Sequence, residues 1–452
     1  MRFRTTLILA LILTLGILGV VYMNKKDTSD QAEKSANEKI INYSGDEITA
    51  IGIWPAGFQA ARDSSGWSMQ APLRIRGDKN AWNAIASMFS WAKKERIVSS
   101  SPTDYPAFGL LPPRAILVLQ SKGKIDTLYI GDDAAIGSLV YARKAGYPEV
   151  FLGTSSLWSN LNKSLMDLRD KSVLDFEQNT ISTMEIKSGQ EMFNLNKEGS
   201  DWKITFPGTY PADRNKISAL LNSLQYQKAA RFVEENPRSL GVYGLDKPLM
   251  QYTLGRSTAS GPLALAIGKA EGHEFYARDI SRPAVFIVDS SFVKSLKVTL
   301  NDLRDKQLLR FPVSAADGLE LSIGDTTFVC QKDTAGRWTL TRPAAKRLRD
   351  WKITGLVSDL ANATAERFVS DNATALKPFG LDKPRIRCRV TQKGALLGEL
   401  LLGQDKDTTT LYAKTGTGPA LYLVKRTLFE KFNVKSTDLV DSNPAGSAAK
   451  EP

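Results

Sequence analysis

Phe379–Val390 reads FGLDKPRIRCRV, and Tyr243–Leu254 reads YGLDKPLMQYTL, nearly the same words 136 residues earlier. Gly and Pro punctuate a turn, and the alternation behind them suits a half-buried strand, so each stretch predicts a turn that feeds a strand. A pentapeptide written twice is either a reactive motif or a unit of construction. The surrounding sequence decides between them, because it repeats as well.

Trp67, Trp202 and Trp338 stand in GWSM, DWKI and RWTL, 135 and then 136 residues apart. Five residues after each comes Pro72, Pro207 or Pro343. The motif glycine falls at Gly109, Gly244 and Gly380, and Tyr141, Tyr276 and Tyr412 open YAR, YAR and YAK. VFL, VFI and LYL begin at Val150, Val285 and Leu421; DLRDK at Asp167 returns at Asp302 and as DLVD at Asp438. One period through all these markers predicts a triplicated unit of about 135 residues, long enough for each copy to hold its own core.

Within each copy the Trp-x4-Pro element precedes apolar residues at helical spacing: Trp82, Ile85, Ala86 and Phe89; Ile217, Leu220, Leu221 and Leu224; Ile353, Leu356, Val357 and Leu360. Asp213 and Asp350 suit the cap or first turn of their helices. Strand-like ERIV, ARFV and ERFV follow, then the Gly-Leu turn, RAILVL, LMQYTL or RIRCRV, further strands ending in YIG, AIG and LLG, the YAR element and a short closing helix. The expected fold is α+β: three tandem repeats, each a mostly antiparallel sheet with one main helix. Copy one has FGLLPPRAIL, with Leu111 and Pro112 where the others carry Asp246–Lys247 and Asp382–Lys383. A pair missing from one copy reads as turn chemistry, so the motif is a building block. The expected boundaries are a tether at 24–44, repeats at 45–175, 176–311 and 312–441, and a disordered tail at 442–452.

The pattern of Trp-x4-Pro, leucine-striped helix, [YF]-G-L-D-x-P and Ile-Gly pair resembles the family called domain of unknown function 4340, from about residue 45 to 440. The resemblance implies an N-terminal membrane anchor, extracytoplasmic tandem copies and an association with ABC transporters of the gliding-motility kind. It implies no catalytic residues.

Residues 5–23, TTLILALILTLGILGVVYM, carry no charge. As a helix they span about 28 Å, the hydrocarbon thickness of a bilayer. Arg2 and Arg4 precede them and no small-x-small cleavage site follows, so an uncleaved anchor in the inner (cytoplasmic) membrane is expected, N-terminus inside and body extracytoplasmic. The body then lies across a membrane from nucleic acid.

Chemistry is sparse. A catalytic or structural zinc site needs three or four Cys or His ligands; this chain has His273, Cys330 and Cys388. The Gly-Lys pairs at 123 and 268 lack the rest of a P-loop, and no dinucleotide, zincin, hydrolase-elbow or EF-hand motif occurs. No catalytic residue, cofactor or metal is expected, and the protein reads as a non-enzymatic scaffold or accessory of a membrane transport or motility complex, with transport subunits as partners. The alternative uses the charge of the body, the net +12 less Arg2 and Arg4, which leaves +10: an envelope protein that binds an anionic glycan or lipid through basic repeat surfaces. Arg143, Arg278 and Lys414, one after each YAR tyrosine, are its candidate contacts, or else strand-edge charges. KRLRDWK, Lys346–Lys352, is a basic patch around Trp351 that suits a contact surface or a solvated helix start.

Overall fold

The computed structural model describes residues 38–441 except 65, 136 and 258–260. The first copy runs β1 (Ile48–Trp54), β2 (Phe58–Asp63), β3 (Gly66–Ala71), β4 (Ile75–Arg76), helix α1 (Lys79–Trp91), β5 (Arg96–Ser99), β6 (Ala115–Ser121), β7 (Lys124–Asp133), β8 (Leu139–Lys144) and β9 (Val150–Thr154). Its sheet is ordered β4-β3-β2-β1-β6-β7-β8-β9-β5 and every neighbouring pair is antiparallel. Two meanders therefore abut at β1 and β6, and α1 carries the chain from one sheet edge to the other. The second copy, Ile181–Ser188 to Val285–Asp289 around α2 (Arg214–Tyr226), and the third, Gly318–Ile323 to Leu421–Lys425 around α3 (Asp350–Ala361), repeat this nine-strand order among the described residues. The α+β triplication expected from the repeats is what the chain adopts. The strands before each tryptophan were not foreseen.

Each main helix is the hub of its copy. Asp78 and Asp213 cap α1 and α2, accepting from the amides of Asn80 and Ala81 and of Asn215 and Lys216. In the third copy Arg349 takes the cap position and Asp350 enters the first turn. All twelve stripe residues are buried, at 5% exposure or less; those of the first copy share one core with inward strand positions such as Leu117, Leu119, Ile51 and Ile53. Fully burying one such side chain contributes about 1.5–3 kcal/mol, so these stripes and not helix propensity hold the helices.

Both ends of each copy fasten to that helix. An apolar pair opens the copy: the amides of Ile40, Val173 and Leu308 donate to the carbonyls of Ala92, Gln227 and Ala363, just past the helix end. The DLRD-type element closes it, the carbonyls of Leu168, Leu303 and Leu439 accepting from Asp78, Asp213 and Arg349. Residues 38–44, expected within the tether, are thus part of the first copy, with Ile40 and Ile41 at 2% and 1% exposure. Two isoleucines are too short a run to show periodicity, yet enough to plug a core.

The described chain divides into two compact units: the first copy up to Ser172 with Lys228–Arg231, and the second and third copies. The expected anchor at 5–23 and tail at 442–452 lie outside the described residues. Among the described residues no helix is long and apolar enough to cross a membrane.

Candidate functional site: the joint of the second and third repeats

The repeated markers converge on one latch per copy. Short 3-10 turns, Pro106–Phe108, Gly241–Tyr243 and Lys377–Phe379, end at Gly109, Gly244 and Gly380 with φ of 63°, 65° and 65°. That left-handed cap favours glycine. The next residue, Leu110, Leu245 or Leu381, is buried. The aromatic before each glycine packs on the YAR tyrosine: Phe108–Tyr141 at 5.1 Å, Tyr243–Tyr276 at 5.0 Å and Phe379–Tyr412 at 4.8 Å between ring centroids. The glycines of YIG, AIG and LLG form the floor. A Cβ on Gly131, Gly268 or Gly403 would stand 2.1, 2.1 or 2.2 Å from the carbonyl oxygen of Phe108, Tyr243 or Phe379. Asp246, Lys247, Asp382 and Lys383 stay exposed at the rim, as turn residues do. Tyr243 donates to Glu234 at 2.6 Å, and that bond raises its pKa above the ordinary tyrosine range.

A different cluster joins the second copy to the third. The guanidinium of Arg304 lies 4.0 Å from the Tyr210 ring centroid and 3.5 Å from that of Phe368, and its Nη2 reaches Asp371 at 2.7 Å. The Tyr210 hydroxyl donates to the other Asp371 oxygen at 2.9 Å, which raises the tyrosine pKa. Asn301 donates its side-chain amide to the Glu366 carbonyl and accepts from the Phe368 amide, each at 3.2 Å. Alongside, the amides of Leu308 and Ala365 bond to Ala363 and Lys306 at 2.9 and 2.7 Å. Arg304 is only 8% exposed, so its charge is held between two rings and one carboxylate.

Next to this joint opens a cleft of about 750 Å³ whose lining includes Trp202, Asn215, Gln307, Asn362 and Thr364. Its charges come as three acids, Asp201, Asp213 and Asp305, and three cations, Arg214, Lys306 and Arg310. Arg214 pairs with Asp201, Arg310 with Asp305, and Asp213 caps α2. Opposite charges so arranged suit contact with polar protein surface more than capture of an ion of either sign.

The tryptophan markers, Trp67, Trp202 and Trp338, are core residues at 4%, 7% and 1% exposure. Pro72, Pro207 and Pro343 each follow a cis peptide bond directly after the tryptophan strand. Arg143, Arg278 and Lys414 are half-buried and in separate copies. The Arg143 guanidinium lies on Tyr105 and Tyr129. Arg278 donates to the Arg282 carbonyl at 2.9 Å, and Lys414 to those of Thr415 and Gly418. His273 is an exposed turn residue. Cys330 and Cys388 are both free and buried, on strands either side of Gly318–Ile323. Among the described residues no group of His, Cys, Asp and Glu is placed to hold a metal ion.

A family model described as a domain of unknown function (DUF4340) matches residues 67–205, 202–348 and 338–451. The chain belongs to this family. No curated protein matches it. Each DUF4340 match begins on a copy's tryptophan, Trp67, Trp202 or Trp338, and the first two run on into the next copy. The family unit is therefore out of phase with the folded copy, which starts at the apolar pair before its first strand. Sequence reasoning named the latch residues but missed Tyr210, Arg304, Phe368 and Asp371. Their signal was present: the closing element is DLRD in the two copies that another copy follows and DLVD in the last.

Proposed function

We propose that this DUF4340 protein is a non-enzymatic, single-pass membrane scaffold, anchored by residues 5–23 with its N-terminus inside and its three copies outside the cytoplasm. It holds or couples subunits of a membrane transport or motility complex of the ABC type. The observation that carries this reading is the fate of the repeated residues: tryptophan, turn glycine, leucine, floor glycine and YAR tyrosine all serve packing within each copy. What triplication preserves is a shape, while the outward residues differ from copy to copy. The uncharged stretch behind Arg2 and Arg4 supports the anchor, and the family resemblance supports the transporter association.

The test is cross-linking in cells, purification through a C-terminal tag and mass spectrometry. Recovery of the same transport subunits, lost when residues 45–440 are replaced by an unrelated domain, is the expected result. If no protein partner recurs, the scaffold reading fails, and salt-sensitive binding of the protein to anionic glycan or lipid vesicles becomes the reading to test.

A further inference from the structure

The second copy meets the third through its closing tail and the short strand before its main helix, whose first residues line the cleft alongside. The corresponding end of the third copy has no further copy upon it among the described residues. Trp351 stands there, 136 residues after the cleft residue Asn215, with its side chain 71% exposed. The short strand Lys346–Arg347, paired with Leu340 and Thr339, holds two exposed cations four and five residues before it. Asp350, the adjacent acid, turns inward, its Oδ1 accepting the amide of Trp338 at 2.6 Å. Trp and Arg are the residue types that most often anchor protein interfaces.

We propose that this end of the third copy, centred on Trp351 with Lys346 and Arg347, docks an acidic protein segment. An apolar residue of that segment covers the indole and carboxylates meet the two cations. The proposal gives a partner chemistry to the scaffold reading and rests on it. Charge complementarity selects the occupant, as it does at the internal joint, where the basic tail residue Arg304 is received by Asp371. A second copy of this chain fits poorly. Its first repeat has Ser100 at the place of Asp371, so the carboxylate that receives a basic tail is missing there.

The test replaces Trp351 by photoreactive p-benzoylphenylalanine in the full-length protein in cells, with the same substitution at exposed Tyr226 as a control. Trp351 lies on the surface, so folding tolerates the change. The expected adduct is specific to position 351. It maps to a protein segment with Asp or Glu around an apolar residue, and it falls about tenfold when Lys346→Glu and Arg347→Glu are added. An adduct to lipid, to a second copy or to residues 442–452 of the same chain overturns the proposal. So does one that charge reversal leaves unchanged, or no adduct at all. Co-purification of transport subunits is scored separately. Its failure removes the scaffold reading, whereas its success without a 351 adduct removes only this docking surface.

Discussion

At Gly268 the second copy's strand passes so close to the Gly-Leu turn that a single added carbon would meet the Tyr243 carbonyl oxygen at 2.1 Å. Backbone stands against backbone there, so no side-chain rotation relieves the contact. Gly268→Ala is therefore expected to cost about 2 kcal/mol or more. Gly189→Ala is the control: φ is 61° with open space around it, so only the left-handed penalty of about 1 kcal/mol applies. Urea titration of both variants checks the order, and equal losses would show that the latch is not close-packed. The glycine was visible in the sequence as the second half of the Ile-Gly pair. Its reason was not, because the Tyr243 carbonyl it touches lies 25 residues away in the chain. The cysteines give a second expectation at this scale. Cys330 and Cys388 sit on strands separated by a third, roughly 10 Å apart, beyond disulfide reach. Burial pushes the Cys330 thiol up to about 12 and raises that of Cys388 as well. Neither should react with a maleimide until the protein is unfolded, whereas rapid labelling in native buffer would contradict the packed third core.

Among the elements, the main helices were legible and the sheet edges were not. A stripe at i, i+3, i+4 and i+7 announces a buried helix face wherever it occurs. The strand Lys346–Arg347 has only two exposed residues and no such pattern. The closing helices lie between these extremes, since DLRDK was recognised as a repeat without its purpose. Its aspartate is the far half of a capping box. Asp302 accepts from the Thr299 amide and hydroxyl at 2.9 and 2.7 Å, and the Thr299 hydroxyl accepts the Asp302 amide. Partial burial pushes the Asp302 carboxyl up, but those hydrogen bonds outweigh it and the net shift is downward. A carboxylate lowered in the folded state stabilises above its ordinary pKa, and that contribution is lost as pH falls through the folded value. Asp302→Ala is thus expected to cost about 1 kcal/mol at pH 7. The gap to wild type should start to narrow below about pH 4, where the unfolded carboxylate becomes protonated, and close only in stronger acid, as the native carboxylate is protonated too. Denaturation curves at both pH values test it, and a gap that persists in acid would assign the loss to packing instead.

For the molecule as a whole, triplication was legible and the way copies join was not, because the residues of a joint come from two copies and meet only in the fold. Tyr210, Arg304, Phe368 and Asp371 share no period with one another. Their contact arises only after two copies fold. The arginine is held by rings and a carboxylate, so removing it leaves Asp371 and the Tyr210 hydroxyl to bind each other or water. Arg304→Ala should weaken the joint by about 2 kcal/mol, which opens its amides about 30-fold more often. Hydrogen exchange localises the effect. The amide of Ala365, which bonds across the joint to Lys306, should exchange faster, while Leu254 and Val390, in the sheets on either side, keep their protection. Arg304→Lys retains the charge but not the flat stacking surface, so it should fall between the two. If Arg304→Ala speeds exchange equally in both sheets, the cluster supports the cores themselves, and the two copies stand or fall as one cooperative body. If only the joint amides respond, the copies are separately stable bodies fastened by a clasp, and a scaffold built that way can hold partners on each copy without unfolding any.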